Sequence, residues 1–106
     1  MKLGVVISTN DAETVWNAFR IANFSKKEGD AVKVFLVGMS VEYEKYSETK
    51  FPSKEEAQKF IMAGGEILAC GTCMKSRNQS YVPLCPIASL KDLYAIIKES
   101  DKVVSF

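Results

Sequence analysis

Three short apolar runs, separated by stretches of helical periodicity, constrain the fold of this chain more than any other feature. Lys2–Ser8 (KLGVVIS), Ala31–Val37 (AVKVFLV) and Glu66–Cys70 (EILAC) are of strand length and carry few polar positions. Such runs belong to strands buried on both faces, as in a parallel sheet. Between the first two, Val15, Ala18, Phe19 and Ala22 recur at helical spacing, which predicts an amphipathic helix. Trp16, Phe19 and Phe24 read as its packing residues. Asn10 is placed to cap that helix, with Glu13 closing the reciprocal box. Lys26 and Lys27 suit its last turn, and Gly29 suits its stop.

The remaining segments repeat the alternation. Residues 39–53 are polar and rich in tyrosine and charge, the composition of a long surface loop or an oligomer interface. Ser53 and Glu56 form a second capping box. Ala57, Phe60 and Ile61 supply a short apolar face, ended by Gly64 and Gly65. The segment after Cys70 starts a third helix or turn. YVPLCPIA carries two prolines, which restricts it to an edge strand or an extended loop. Ser89 caps a fourth helix with Leu90, Leu93, Tyr94 and Ile97 as its apolar face, and Lys102–Phe106 closes as a short strand. This order predicts a three-layer α/β/α domain over residues 1–106, with a mostly parallel sheet of about five strands. In such sheets reactive groups gather beyond the carboxyl ends of the strands. Ser8–Asp11, Gly38–Tyr43 and Cys70–Cys73 all fall there.

Composition then removes whole classes of chemistry. A net charge of +1 over 106 residues gives no reason to expect nucleic acid or an anionic membrane surface. The Gly-x-Gly-x-x-Gly fingerprint is missing after the first strand, so no dinucleotide cofactor is expected. The first apolar run ends in Ser-Thr-Asn-Asp and reads as a strand instead of a signal peptide, making the cytoplasm the expected location. In that compartment the three cysteines are free thiols or functional groups. The chain contains no histidine, which excludes the Cys-His dyad, the Ser-His-Asp triad and every histidine-containing zinc site built from this chain alone.

Chemistry therefore concentrates on Cys70 and Cys73. Cys70 ends the third strand and Cys73 falls in the first turn of the next element. A thiol at a helix start meets unpaired N–H groups, which favour thiolate. Lys75 and Arg77 add positive charge, and Gly71 and Thr72 are small enough to let a second sulfur or a substrate approach. Three readings stay open on the residues. The pair is a nucleophile site needing no imidazole; it is a Cys-x-x-Cys dithiol; or it joins Cys85 as three ligands of a zinc ion whose fourth ligand comes from water or another subunit. Cys85, between Leu84 and Pro86, reads as a core residue on its own.

GVVISTNDAETVWNAFRIANFSKKEGDAVKVFLVG, ILACGTCMKSR and SLKDLYAIIKESDKVVSF occur in the order and spacing of the DsrE-like (DsrE/TusD-type) family of small sulfur-relay proteins, which the chain resembles over nearly its whole length. In relay members a cysteine ending the third strand accepts a persulfide sulfur and passes it on. The resemblance places Cys70 at that position. Cys73 has no universal counterpart in the family and resembles a subgroup carrying Cys-Gly-x-Cys; a second thiol one turn from Cys70 is placed to resolve a Cys70 persulfide, releasing sulfide and leaving a disulfide, or to be the carrier itself. The resemblance implies a cytoplasmic sulfur carrier or sulfurtransferase, a homo-oligomer, and donor and acceptor proteins that the sequence does not name. A different class, an oligomeric binding module with structural or metal-binding cysteines, stands as the alternative, with a dithiol oxidoreductase as the third.

Overall fold

The structure is a computed structural model that describes residues 1–77 and 87–106. Along the chain run β1 (Lys2–Ile7), α1 (Ala12–Lys27), β2 (Ala31–Leu36), a 3-10 helix (Gly38–Tyr46), α2 (Ser53–Met62), β3 (Glu66–Cys70), α3 (Gly71–Ser76), β4 (Ile87–Ala88), α4 (Leu90–Glu99) and β5 (Lys102–Ser105). The five strands form one sheet in the order β4-β3-β2-β1-β5, and every pairing is parallel. The expected layered α/β architecture is present.

The pleat sorts side chains between two clusters. Leu3, Val5 and Ile7 of β1, Val32, Val34 and Leu36 of β2, and Ile67 and Ala69 of β3 face one side, where they meet Val15, Ala18, Phe19, Ala22, Ala57 and Phe60. Period-two alternation sends Phe35 and Cys70 to the other side, where they meet Ala88 and Ile96. Thus α1 and α2 cover one face and α4 the other. Connectivity explains this division. The chain leaves β4 at one edge and must re-enter at β5 on the opposite edge, so α4 travels back across the sheet. A right-handed crossover in that direction lands on the opposite face. Gly4 admits the helix: a Cβ there would lie 2.8 Å from Ile96 Cγ2 and 2.9 Å from Ser100 Oγ.

Several local expectations are corrected. The cap of α1 is Asp11, whose carboxylate accepts from Thr14 N at 3.0 Å; Asn10 lies one residue too early. Phe24 is 60% exposed, while Trp16 packs against Phe51 at 5.5 Å between ring centroids. At α2 the cap position is Pro52. Ser53 sits inside the helix, buried, and its hydroxyl has no partner among the described residues, so no capping box forms. Residues 38–46, expected as loop, coil into a 3-10 helix that buries Ser40, Val41 and Tyr43. Its polar sequence conceals three inward positions. The Ser89–Asp92 capping box of α4 is present. Its buried face, however, is Ile96 with Leu93, while Leu90, Tyr94 and Ile97 point outward. Of the proline-rich segment, only the edge strand Ile87–Ala88 lies within the described residues; Cys85, Pro83 and Pro86 lie outside them.

Candidate functional site

The carboxyl ends of β2 and β3 meet at two sulfurs. Register aligns Leu36 with Ala69, so the next residues of both strands leave the sheet side by side: Val37–Gly38 from β2, Cys70–Gly71 from β3. Cys70 is the N-cap residue of α3, and Cys73 lies one turn later on the same side of it. Gly71 is required by its surroundings. A Cβ there would lie 2.7 Å from Ile87 Cγ2 and 3.3 Å from Ala88 O. The room expected for a second sulfur is therefore filled by β4, which pairs with β3 at Cys70 and Ala88.

The two thiols differ in setting. Cys70 is 4% exposed, enclosed by Phe35, Ala88 and Ile96. Burial, together with its hydrogen bond to the Cys73 sulfur, pushes its thiol above the ordinary cysteine value, against the opposing amides of Cys73 and Thr72. Cys73 is half-buried and touches both core clusters from the end of the sheet. Burial raises its thiol as well. Four groups outweigh that and bring it below the ordinary value: the Cys70 thiol, the Gly38 amide, the Arg77 charge and the amide of Cys73 itself. The Gly38 N–H donates to Cys73 Sγ at 3.2 Å. Gly38 adopts φ +64, a left-handed conformation costly to any residue with a Cβ. Of the pair, Cys73 is the thiol whose ionised form the surroundings favour, with Cys70 on the proton-donor side.

Arg77 is fixed from both ends. Its Nε meets Glu42 Oε1 at 3.0 Å, and its guanidinium donates to Cys73 O at 3.1 Å. Glu42 also accepts from Lys45 at 2.8 Å. The Lys45 hydrogen bond, burial against it, and the charges of Lys45 and Arg77 leave its carboxyl below the usual range. The 3-10 helix thus does two jobs at this site: its first residue offers an amide to sulfur, and Glu42 anchors the cation. Sequence reasoning places Gly38–Tyr43 near the site without assigning roles; the strand order β3-β2 is the missing information. Lys75 and Thr72 are exposed, and the positive charge acting on Cys73 is that of Arg77. At six residues α3 has little macrodipole to offer. Asp11 is occupied as a cap. Both described cysteines are free. The three-cysteine zinc reading depends on Cys85, outside the described residues.

A sequence model of the DsrE/DsrF-like family matches residues 1–106, the whole chain. The chain belongs to this family. Among curated relatives, the uncharacterized protein MK0008 of Methanopyrus kandleri is 32% identical over 100 residues, covering 89% of this chain and 83% of the relative. The uncharacterized protein MJ0989 of Methanocaldococcus jannaschii is 32% identical over 114 residues, covering all of both chains. Among solved structures, the ychN protein from E. coli superposes with a TM-score of 0.83 at 20% identity, each chain covered completely. A conserved protein of unknown function from Bacteroides thetaiotaomicron, BT1422, gives a TM-score of 0.81 at 21% identity, over 99% of this chain and 94% of that one. These two likenesses establish a shared fold. Membership in the DsrE/DsrF-like family accords with a role of the sulfur-relay kind.

Proposed function

We propose that this chain is a sulfur-relay protein whose Cys70–Cys73 pair takes sulfane sulfur from a donor as a cysteine persulfide. The observation that carries this reading is the Gly38 amide on Cys73 Sγ at 3.2 Å, reinforced by a cation that Glu42 holds in place. Thiolate is the form that attacks sulfur. Cys73 attacks the terminal sulfur of a donor persulfide, a new S–S bond forms, and the donor leaves as its thiol. No imidazole is needed, since the Gly38 amide and Arg77 favour the thiolate. The reading includes a cytoplasmic setting, where such thiols stay reduced.

Donor consumption tests it. The wild-type chain removes at least one sulfane sulfur per protein from an alkyl persulfide within minutes, and the Cys70→Ser/Cys73→Ser double variant removes none above the buffer rate. Equal consumption by both proteins overturns the proposal.

The reading also includes self-association. α4 turns Leu90, Tyr94 and Ile97 outward at 68%, 64% and 52% exposure, spaced to form one stripe. Aromatic and aliphatic side chains so arranged suit the dry centre of an interface. Sedimentation velocity of the wild type is expected to give an oligomer, and Leu90→Glu/Ile97→Glu a lower-mass species with native circular dichroism. A monomeric wild type at high protein concentration refutes this part.

A further inference from the structure

Resting on the sulfur-relay reading, we infer that the pair divides its labour by depth: Cys73 receives the sulfur, and Cys70, buried behind it, expels that sulfur as sulfide by closing a Cys70–Cys73 disulfide. Three features carry this. Cys70 is 4% exposed and covered by Phe35, Ala88 and Ile96, so an external donor or acceptor protein has no path to its sulfur. Its reach is instead internal. As the N-cap residue three positions before Cys73, its side chain lies toward the start of α3 on the side that Cys73 occupies one turn later, and Cys73 packs against the same cluster of Phe35, Ala88 and Ile96 that holds Cys70. The Gly38 amide holds Cys73 Sγ from the β2 side, so the inner sulfur of a Cys73 persulfide stays beside Cys70, and the added sulfur extends away toward the half-exposed side.

The step balances without an outside oxidant. Cys70 Sγ attacks Cys73 Sγ and the Cys70–Cys73 S–S bond forms. The bond from Cys73 Sγ to the added sulfur breaks. The Cys70 proton leaves with the departing sulfur, giving hydrogen sulfide. The sulfane sulfur is reduced by two electrons and the two cysteines are together oxidised by two. A dithiol reductant then restores both thiols by exchange. A thiol enclosed against the carrier sulfur is placed to attack that sulfur as well as to donate to it. The burial that protonates Cys70 also slows the attack, giving a persulfide lifetime in which transfer to an acceptor competes with release. Because Cys70 must lose its proton to attack and its thiol is the higher of the two, release goes on accelerating with rising pH after uptake by Cys73 has levelled off.

A single-turnover experiment decides. The reduced wild type is mixed with one equivalent of an alkyl persulfide, and sulfide and intact mass are monitored, with the double serine variant giving the background. Expected for the wild type is one sulfide per chain and a product two hydrogens lighter, returned to its starting mass by dithiothreitol. Cys70→Ser, and Cys70→Ala as a second variant, retain the mass of one added sulfur and release sulfide at least about tenfold more slowly. A wild type that keeps the added sulfur and releases no sulfide overturns this inference and leaves the relay reading intact. Sulfur uptake by Cys73→Ser at the wild-type rate overturns the assignment of roles. Neither uptake nor sulfide in any protein overturns the relay reading itself.

Discussion

Phe35→Ala lowers the stability of the chain by about 3–5 kcal/mol in urea unfolding, the cost of emptying a fully enclosed aromatic site. Phe35 is 0% exposed and lies in the smaller of the two clusters, with Cys70, Ala88 and Ile96 around it and Val37, Leu68 and Leu93 at its margin. Among the described residues, α4 is the helix that covers that side of the sheet. The backbone above and below is pinned by β2 pairing with β1 and β3, so the site has little means of collapsing into the void. A domain of this size has about 5–15 kcal/mol to lose, so the variant sits near the edge of folding at room temperature. Phe24→Ala is the control. Its side chain is 60% exposed, and its replacement is expected to cost about 0.5 kcal/mol or less. A Phe35→Ala cost below about 1 kcal/mol, with the urea slope unchanged, shows that α4 does not enclose this face. The same substitution thins the cover over Cys70, and desolvation is the leading reason that thiol is raised. Alkylation of Cys70 in the folded variant is accordingly faster than in the wild type.

Those consequences mark the boundary between what the sequence discloses and what it hides. The buried strands are legible because apolar runs of strand length leave few alternatives; β3 has the predicted limits, Glu66–Cys70. The core positions of α1, Val15, Ala18, Phe19 and Ala22, are equally plain from their spacing, and all are 0% exposed. The inward face of α4 is hidden because the helix is apolar on two sides. Leu90, Tyr94 and Ile97 make a stripe as regular as that of Leu93 and Ile96, and periodicity alone cannot say which stripe meets the sheet. The cysteine pair stands out by its spacing and its basic neighbours. The asymmetry between its members does not, since it comes from three long-range facts: Phe35 beneath Cys70, Gly38 beside Cys73, and Glu42 gripping Arg77. Each depends on β2 lying next to β3, and strand order is a property of the assembled sheet. Only the assembled sheet moves the thiolate from the strand-end residue to its neighbour one turn on.

That transfer of charge has a measurable signature in alkylation. Iodoacetamide at neutral pH is expected to label Cys73 at least about tenfold faster than Cys70, read by peptide mapping of briefly treated protein. Two effects act in the same direction. Cys73 is partly exposed where Cys70 is 4% exposed, and the Cys73 thiol is brought below the ordinary cysteine value while that of Cys70 is pushed above it. The pH dependence has a definite sign. Only thiolate reacts, so each rate climbs about tenfold per pH unit below the group's own pKa and levels off above it. The Cys73 profile therefore levels off at lower pH than an unperturbed cysteine, and the Cys70 profile at higher pH. Arg77→Met removes the positive charge acting on Cys73 and moves the Cys73 profile toward higher pH. Glu42→Gln produces a smaller shift in the same direction, since Arg77 keeps its charge but loses the anchor that holds it at 3.0 Å. Lys75→Met leaves the profile in place, because that side chain is exposed and the charge acting on the sulfur is that of its neighbour two residues on. If Cys70 is labelled first, or if Arg77→Met leaves the Cys73 profile unmoved, the electron-rich sulfur is not at residue 73 and the division of roles between the two thiols fails with it.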